Sequence, residues 1–314
     1  LSRIGSIEVT MSSNTILSQV LVLFLIMLIG FYARKRDIIN EFVSKKLSEL
    51  LLKITSPLLV ISSFQVSFTK EILDNVITVF VFAVAAHAFS ALLGQVLFLR
   101  CKDGTKKIAK FSTIYSNCGF MGFPILESLL GKIAVLYGSI YVAAFNIFLW
   151  TNGVMIFSNK RGLDRDTVKN AFLNPGILSV FVGMLLFIFS IKLPYPAART
   201  VELVGSMTAP LSMLIVGASL ASCDFKKLLH GLDLYYITGV RLILIPLFAY
   251  IILKLLGFSG ILLATCILLV AMPVAATTAI FAEMYEGDTP LASRVVVFST
   301  LASIVTIPLF TVLR

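Results

Sequence analysis

The sequence predicts an all-α polytopic membrane protein of ten transmembrane helices, arranged as two inverted five-helix repeats with helices 4 and 9 broken. Three observations predict it. The 314 residues are 58% hydrophobic and 13% charged, with a mean hydropathy of +0.99, whereas soluble domains are about half apolar and about a quarter charged. Lys and Arg concentrate in alternate loops. Prolines recur at matching places in the two halves, inside segments otherwise apolar enough to cross a bilayer.

A membrane helix needs about 20 apolar residues. On that ruler the spans run over 15–33, 44–65, 72–99, 107–130, 134–157, 174–192, 199–221, 230–256, 260–284 and 290–312. Residues 1–10 precede Met11 and read as an upstream or vector-derived extension. The apolar run Ile16 to Ala33 is too long for a signal-peptide core. It ends in Arg34-Lys35-Arg36 without a small-residue cleavage site, so it is the first membrane helix. The longest polar stretch, Asn159 to Asn170, divides the chain. The expected organisation is a first repeat over 11–158, a cytoplasmic linker over 159–173 and a second, inverted repeat over 174–314.

Charge sets the orientation. Most of the 26 Lys and Arg residues lie in the loops after helices 1, 3, 5, 7 and 9: Arg34, Lys35, Arg36, Lys45 and Lys46 in the first, Arg100, Lys102, Lys106, Lys107 and Lys110 in the second, Lys160, Arg161, Arg165 and Lys169 in the third. The opposite side holds Arg3, Lys70, Lys132, Lys192, Arg199 and Arg314. The positive-inside rule places the odd loops in the cytoplasm and both termini outside a cell membrane. The net charge of +10 is then a topology signal, and no nucleic-acid partner is expected. The four cysteines show no C-x-x-C spacing, and neither an H-E-x-x-H nor a G-x-S-x-G motif occurs. No enzyme, metal or cofactor is indicated, and the lack of a Walker A motif leaves nothing to bind a nucleotide.

Thr55-Ser56-Pro57-Leu58 in helix 2 matches Thr208-Ala209-Pro210-Leu211 in helix 7. Helices 4 and 9 each carry a break, Ser116-Asn117-Cys118-Gly119-Phe120-Met121-Gly122-Phe123-Pro124 and Ala271-Met272-Pro273-Val274, and each closes on an acid and a glycine, Glu127 with Gly131 and Glu283 with Gly287. Helices 5 and 10 read as unbroken closers. Because five is odd, a repeated five-helix unit inserts upside down, and inverted repeats with matched broken helices point to a secondary transporter and its substrate site.

Proline removes a donor and glycine loosens the chain. Backbone unpaired in this way is tolerated in a membrane only against protein or a wet cavity. Pro124 and Pro273 are each expected to open a half-helix, where the missing N–H costs nothing. If the two helices cross, two N-terminal ends of about +0.5 charge converge and favour a small organic anion; the opposing ends and freed carbonyls suit a proton or a cation. Asn117 can donate to a carboxylate or tie down freed carbonyls. Gly119 and Gly122 allow the close approach, with their N–H groups as secondary ligands; Cys118 is packing.

An intramembrane ionisable group is a functional candidate by default. Arg241, deep in helix 8, is either the counter-charge for an anionic substrate or a structural partner of an acid or of carbonyls near Pro246. His87 in helix 3 is a coupling-proton candidate or a hydrogen-bonded core residue. Glu49 and Lys53 are spaced for an i,i+4 pair, Asn146 and Asn152 are interhelical glue, and Glu283 is a solvated end residue or lines an exit path.

At these residues the chain resembles the auxin efflux carrier family. The resemblance rests on the Ser116–Pro124 stretch and on Ala271-Met272-Pro273 followed by Thr277, Ala282 and Glu283, and it extends from Met11 to Arg314. That family includes bacterial permeases for malate, malonate and related carboxylates. The resemblance implies a scaffold domain of helices 1, 2, 6 and 7 and a transport domain of helices 3–5 and 8–10. It further implies that helices 4 and 9 cross at their prolines and that the transport domain moves like an elevator. The asparagine that contacts the substrate carboxylate in plant members falls on Asn117. Met272, Pro273 and Thr277 are the helix 9 candidates, with Thr278 beside them, since no asparagine lies there. The long central loop of plant carriers is replaced by about a dozen residues, the compact prokaryotic form, which favours a small organic acid over auxin. A homodimer in the lipid bilayer is expected, with a proton or sodium ion as possible coupling partner. Two other readings compete: a receptor that binds an organic anion without moving it, and a cation/proton exchanger. Against the exchanger, Asp74, Asp103, Asp233 and Asp288 all lie at span ends.

Overall fold

The computed structural model describes residues 13–157, 173–221, 228–229 and 231–312. The 1–10 extension and nearly all of the 159–173 linker lie outside the described residues, as does Cys223.

The chain is helical, and helices occupy every predicted span. In order they are α1 (Ser13–Lys35), α2 (Glu41–Leu50), α3 (Ser56–Ser63), α4 (Lys70–Leu97), α5 (Asp103–Ile114), α6 (Phe123–Leu130), α7 (Lys132–Phe148), α8 (Val154–Phe157), α9 (Pro175–Ile188), α10 (Tyr195–Ser206), α11 (Thr208–Ala221), α12 (Leu232–Gly239), α13 (Ile245–Leu255), α14 (Gly260–Ala271), α15 (Thr277–Met284) and α16 (Thr289–Val312). Among the described residues, six runs are long and apolar enough to cross a membrane: Ser18–Lys35, Lys70–Leu97, Lys132–Phe157, Tyr195–Ala221, Leu232–Leu255 and Thr289–Thr311. Shorter apolar helices span Cys118–Leu130, Pro175–Ile188 and Gly260–Ala271. The protein is therefore a multi-pass membrane protein.

Proline chemistry accounts for most of the interruptions. A proline ring collides with the carbonyl four residues back and donates no hydrogen bond to it. Wider π-helical turns absorb the misfit over Leu51–Thr55 before Pro57, Cys118–Gly122 before Pro124 and Val240–Leu244 before Pro246. Each turn contains the carbonyl in question, from Lys53, Phe120 and Leu242. Pro210 lies in the first turn of α11, just past the end of α10 at Ser206. The two matched Thr-x-Pro motifs thus both open a new helical segment, and both threonines, Thr55 and Thr208, are buried with unpartnered hydroxyls. Helix 5 departs from expectation: a π-helical turn over Leu149–Gly153 interrupts it without any proline. Helix 10 is continuous through Pro308.

Between membrane helices the packing gain comes from close backbone approach at small residues, since lipid is as apolar as leucine. The α1–α11 pair follows this rule. A Cβ on Gly30 would lie 2.2 Å from the Leu214 carbonyl oxygen, and one on Gly217 would lie 1.8 Å from that of Met27. Several helix starts carry a side-chain cap: Asn40 accepts from Val43 N, Thr69 from Ile72 N, Asn174 from Gly176 N and Asp288 from Leu291 N. Each cap satisfies a donor that the helix cannot pair.

Candidate functional site

Helix 4 breaks after Ile114. Tyr115 is extended (φ −100°, ψ 107°), and the chain turns at Asn117 (φ −77°, ψ 50°) into the π-helical turn Cys118–Gly122. Helix 9 breaks after Ala271, where Met272 is extended (φ −61°, ψ 148°), as the residue before a proline is pushed to be. The two breaks meet. Ser116 and Val274 form an isolated antiparallel bridge, in which Asn117 N donates to Pro273 O at 2.7 Å and Ala275 N to Tyr115 O at 3.0 Å. Ser116 Oγ donates to Leu269 O at 2.9 Å, and Ser299 Oγ on α16 accepts from Val274 N at 3.1 Å. Each break supplies partners for the backbone groups the other frees, which is how irregular chain survives inside a membrane protein.

Of the two prolines expected to open half-helices, Pro124 lies in the first turn of α6, like Pro57 in α3, whereas Pro273 opens none. Pro273 lies in the extended stretch, four residues before α15 begins at Thr277. Pro124 is the second residue of α6, but helical structure has already resumed at Cys118. The meeting point is Ser116 with Val274, so Pro273 takes part in it and Pro124 does not. The reason is local: Pro273 follows the extended Met272, whereas the π-helical turn accommodates Pro124 without unwinding. Across the bridge the position equivalent to Asn117 is Ala275, which has no polar side chain.

The four half-helix ends are treated differently. The C-terminal ends of α5 and α14 are both closed by Arg241, which is 1% exposed. Its Nη1 donates to Thr113 O at 2.9 Å, its Nε to Met272 O at 3.1 Å and its Nη2 to Val270 O. Among the described residues the ion pairs are those of Glu49 with Lys46 and Lys53 and of Glu202 with Lys132 and Arg199, so no carboxylate pairs with Arg241. The structure thus shows Arg241 bound to carbonyls, one of the two roles its depth allowed, although the carbonyls are those of the broken helices and not of the Pro246 turn.

The N-terminal ends, at Cys118 and Thr277, have no side-chain cap. Asn117 is 5% exposed. Its carbonyl accepts from Met121 N and Gly122 N, both at 3.1 Å, while its side-chain amide has no partner among the described residues. A Cβ on Gly119 would meet nothing within 4 Å, so open space lies against that turn. Gly122 is different: a Cβ there would lie 2.8 Å from Leu269 Cδ2, making it the close-packing glycine. The hydroxyls of Thr277 and Thr278 are buried without partners. The Asn117 amide and the orphan hydroxyls of Thr277 and Thr278 therefore flank the paired breaks and can donate, beside helix ends that no side chain caps and whose Met121, Gly122, Thr278 and Ala279 N–H groups already bond to the carbonyls of Asn117, Ala275 and Ala276.

His87 is 1% exposed. Its Nδ1 is 2.7 Å from Ala83 O of its own helix, its Nε2 is buried without a partner, and the rings of Tyr115, Tyr141, Phe145 and Phe148 surround it. Glu283 is exposed in the last turn of α15. Glu49 pairs with Lys53 at 3.7 Å as expected, and with Lys46 at 3.0 Å. Asn152 is interhelical, accepting from Tyr115 Oη at 3.3 Å. Asn146 instead donates to Val142 O one turn back on α7. Cys118 is fully buried. A cavity of about 520 Å³, lined mainly by α4 and α13 and also by Val270 of α14, includes neither Asn117 nor Arg241 nor Thr277 nor Thr278; its lining, with Val81, Phe89 and Ile252, offers an anion no charge.

Sequence reasoning quoted Ser116 at the head of the helix 4 stretch without assigning it a role, and it missed Ser299. Both pair with the broken backbone, and nothing local distinguishes Ser299 from any other membrane serine.

The family described as membrane transport protein matches residues 15–167 and 161–311. The chain belongs to that family. The resemblance to auxin efflux carriers is therefore sound, and the chain is a member of a transporter family. An uncharacterized transporter of Methanothermobacter thermautotrophicus is 24% identical over 96% of this chain and 98% of its own length. A protein of Rhizobium meliloti named "Putative malonate transporter" is 25% identical over 70% of this chain and 71% of its own. An uncharacterized transporter of Escherichia coli is 22% identical over 94% and 96% of the two lengths.

Proposed function

We propose that this family member carries small organic anions, mono- or dicarboxylates of the malonate and malate type, across the cell membrane by elevator-like alternating access. The observation that carries the substrate class is the unequal treatment of the half-helix ends. Arg241 closes both C-terminal ends, while both N-terminal ends remain uncapped. Helix N-termini hold about half a positive charge each, and their N–H groups suit a carboxylate. Asn117 and Thr277 add neutral donors, and the space beside Gly119 gives an anion room to approach. The malonate named for the Rhizobium meliloti relative agrees with this chemistry.

In this reading the chain is two inverted halves, 11–158 and 174–314, with both termini extracytoplasmic, and the paired breaks belong to the moving part. The test is flux. Purified protein in liposomes should accumulate or exchange labelled malonate or malate, and Asn117→Ala should slow it at least about tenfold, the loss of roughly one good charge-assisted hydrogen bond. Folded protein that moves none of a panel of mono- and dicarboxylates would sink the proposal; saturable binding without flux would point to a receptor.

A further inference from the structure

We infer that Arg241 is a built-in cation: its guanidinium fills the carbonyl site that the two broken helices create, so anion movement requires no coupling cation there. The inference rests on the transport reading above. α5 and α14 both end inside the protein, and each end presents carbonyls without helical partners and about half a negative charge. In transporters with discontinuous helices, oxygens of this kind coordinate sodium ions or protons. Here the carbonyls of Thr113, Val270 and Met272 all accept from one guanidinium.

Charge balance supports the assignment. No carboxylate of the described residues pairs with Arg241, and the two C-terminal ends together supply about one negative charge, enough to balance one guanidinium. With that charge satisfied, the two N-terminal ends remain the uncompensated positive poles for the substrate. The fork geometry of arginine fits the task, because its N–H groups diverge in a fixed plane towards acceptors on separate chain segments. The backbone agrees as well: Arg241 sits within the π-helical turn Val240–Leu244, an irregularity that redirects side chains and recurs at functional positions.

A thermal measurement tests this without substrate. The purified full chain in detergent is unfolded in NaCl and in choline chloride at equal ionic strength. Wild-type Tm should agree within about 1 °C, since a ligand that does not bind the native state shifts nothing. Arg241→Gln should unfold roughly 5–10 °C lower and regain part of that loss in sodium, which can enter the vacated carbonyls. A sodium-dependent rise in wild-type Tm overturns the inference, even if the variant does not fold. So does an Arg241→Gln protein whose lowered Tm ignores sodium, which would leave the arginine as a clamp only. Arg241→Lys keeps the charge and should stay insensitive to sodium. In liposomes, malonate uptake should proceed equally in sodium and in choline, and uptake that requires sodium overturns the inference. Absence of uptake of any carboxylate counts against the transport reading, and the thermal result still decides the role of Arg241.

Discussion

The backbone N–H of Asn117 donates to the carbonyl of Pro273 at 2.7 Å. This bond ties the turning point of helix 4 to the one proline of the two that lies in the crossing. It holds Asn117 by its main chain, while its side-chain amide has no partner among the described residues. A polar group held rigid at its backbone and free at its tip is suited to a ligand that comes and goes.

Asn117 should therefore separate stability from function. Among the described residues Asn117→Ala removes no hydrogen bond made by the side chain, so stability should change by less than about 1 kcal/mol, read as a small shift of Tm in detergent. Carboxylate flux should nonetheless fall. Asn117→Asp should fall further, because a carboxylate beside the anion repels it. A large drop in Tm for Asn117→Ala would show a structural role instead.

The two glycines of the turn should behave oppositely. Gly122→Ala forces Leu269 aside from 2.8 Å and should cost about 1–3 kcal/mol of stability. Gly119→Ala meets open space and should fold normally while raising KM for the anion. Measuring Tm and KM for both variants checks the pair; equal behaviour would contradict the geometry.

Gly217 predicts a purely structural failure. An added methyl would fall 1.8 Å from the Met27 carbonyl oxygen, and backbone cannot yield as a side-chain tip can. Gly217→Ala should force α1 and α11 apart and cost about 3 kcal/mol or more, seen as loss of monodisperse protein in size exclusion. Gly239→Ala, which meets nothing within 4 Å, is the control and should behave as wild type.

His87 should prove to be packing. Its Nδ1 is bonded within its own helix and its Nε2 is enclosed by aromatic rings. His87→Phe should retain at least about half of the flux and the wild-type pH profile, because an apolar ring of similar size satisfies the same surroundings. Loss of the pH dependence in this variant would instead make His87 the proton carrier.

Much of the architecture was legible in the chain. The apolar runs give helices in every predicted span because a bilayer leaves the backbone little alternative. The helix 4 and helix 9 breaks stand out because glycine, proline and asparagine in such runs violate helix chemistry locally. Those are short-range effects, and sequence carries short-range effects directly. The two prolines show the limit of that reading. Pro124 and Pro273 look equivalent as residues, yet one is absorbed by a π-helical turn and the other lies in extended chain beside its partner break.

Sequence by itself determined a helical membrane protein with an irregular pair of segments and a deep, lone arginine. Only the tertiary structure decided what those features do. It paired Ser116 with Val274, recruited Ser299 and Ser116 to satisfy freed backbone, and aimed Arg241 at both C-terminal helix ends, leaving the N-terminal ends near Asn117 and Thr277 uncapped. The physical reason is that an unpaired carbonyl or N–H can be satisfied from anywhere in space. Which group reaches it depends on how helices pack, and no local pattern encodes a partner that lies 25 to 153 residues away.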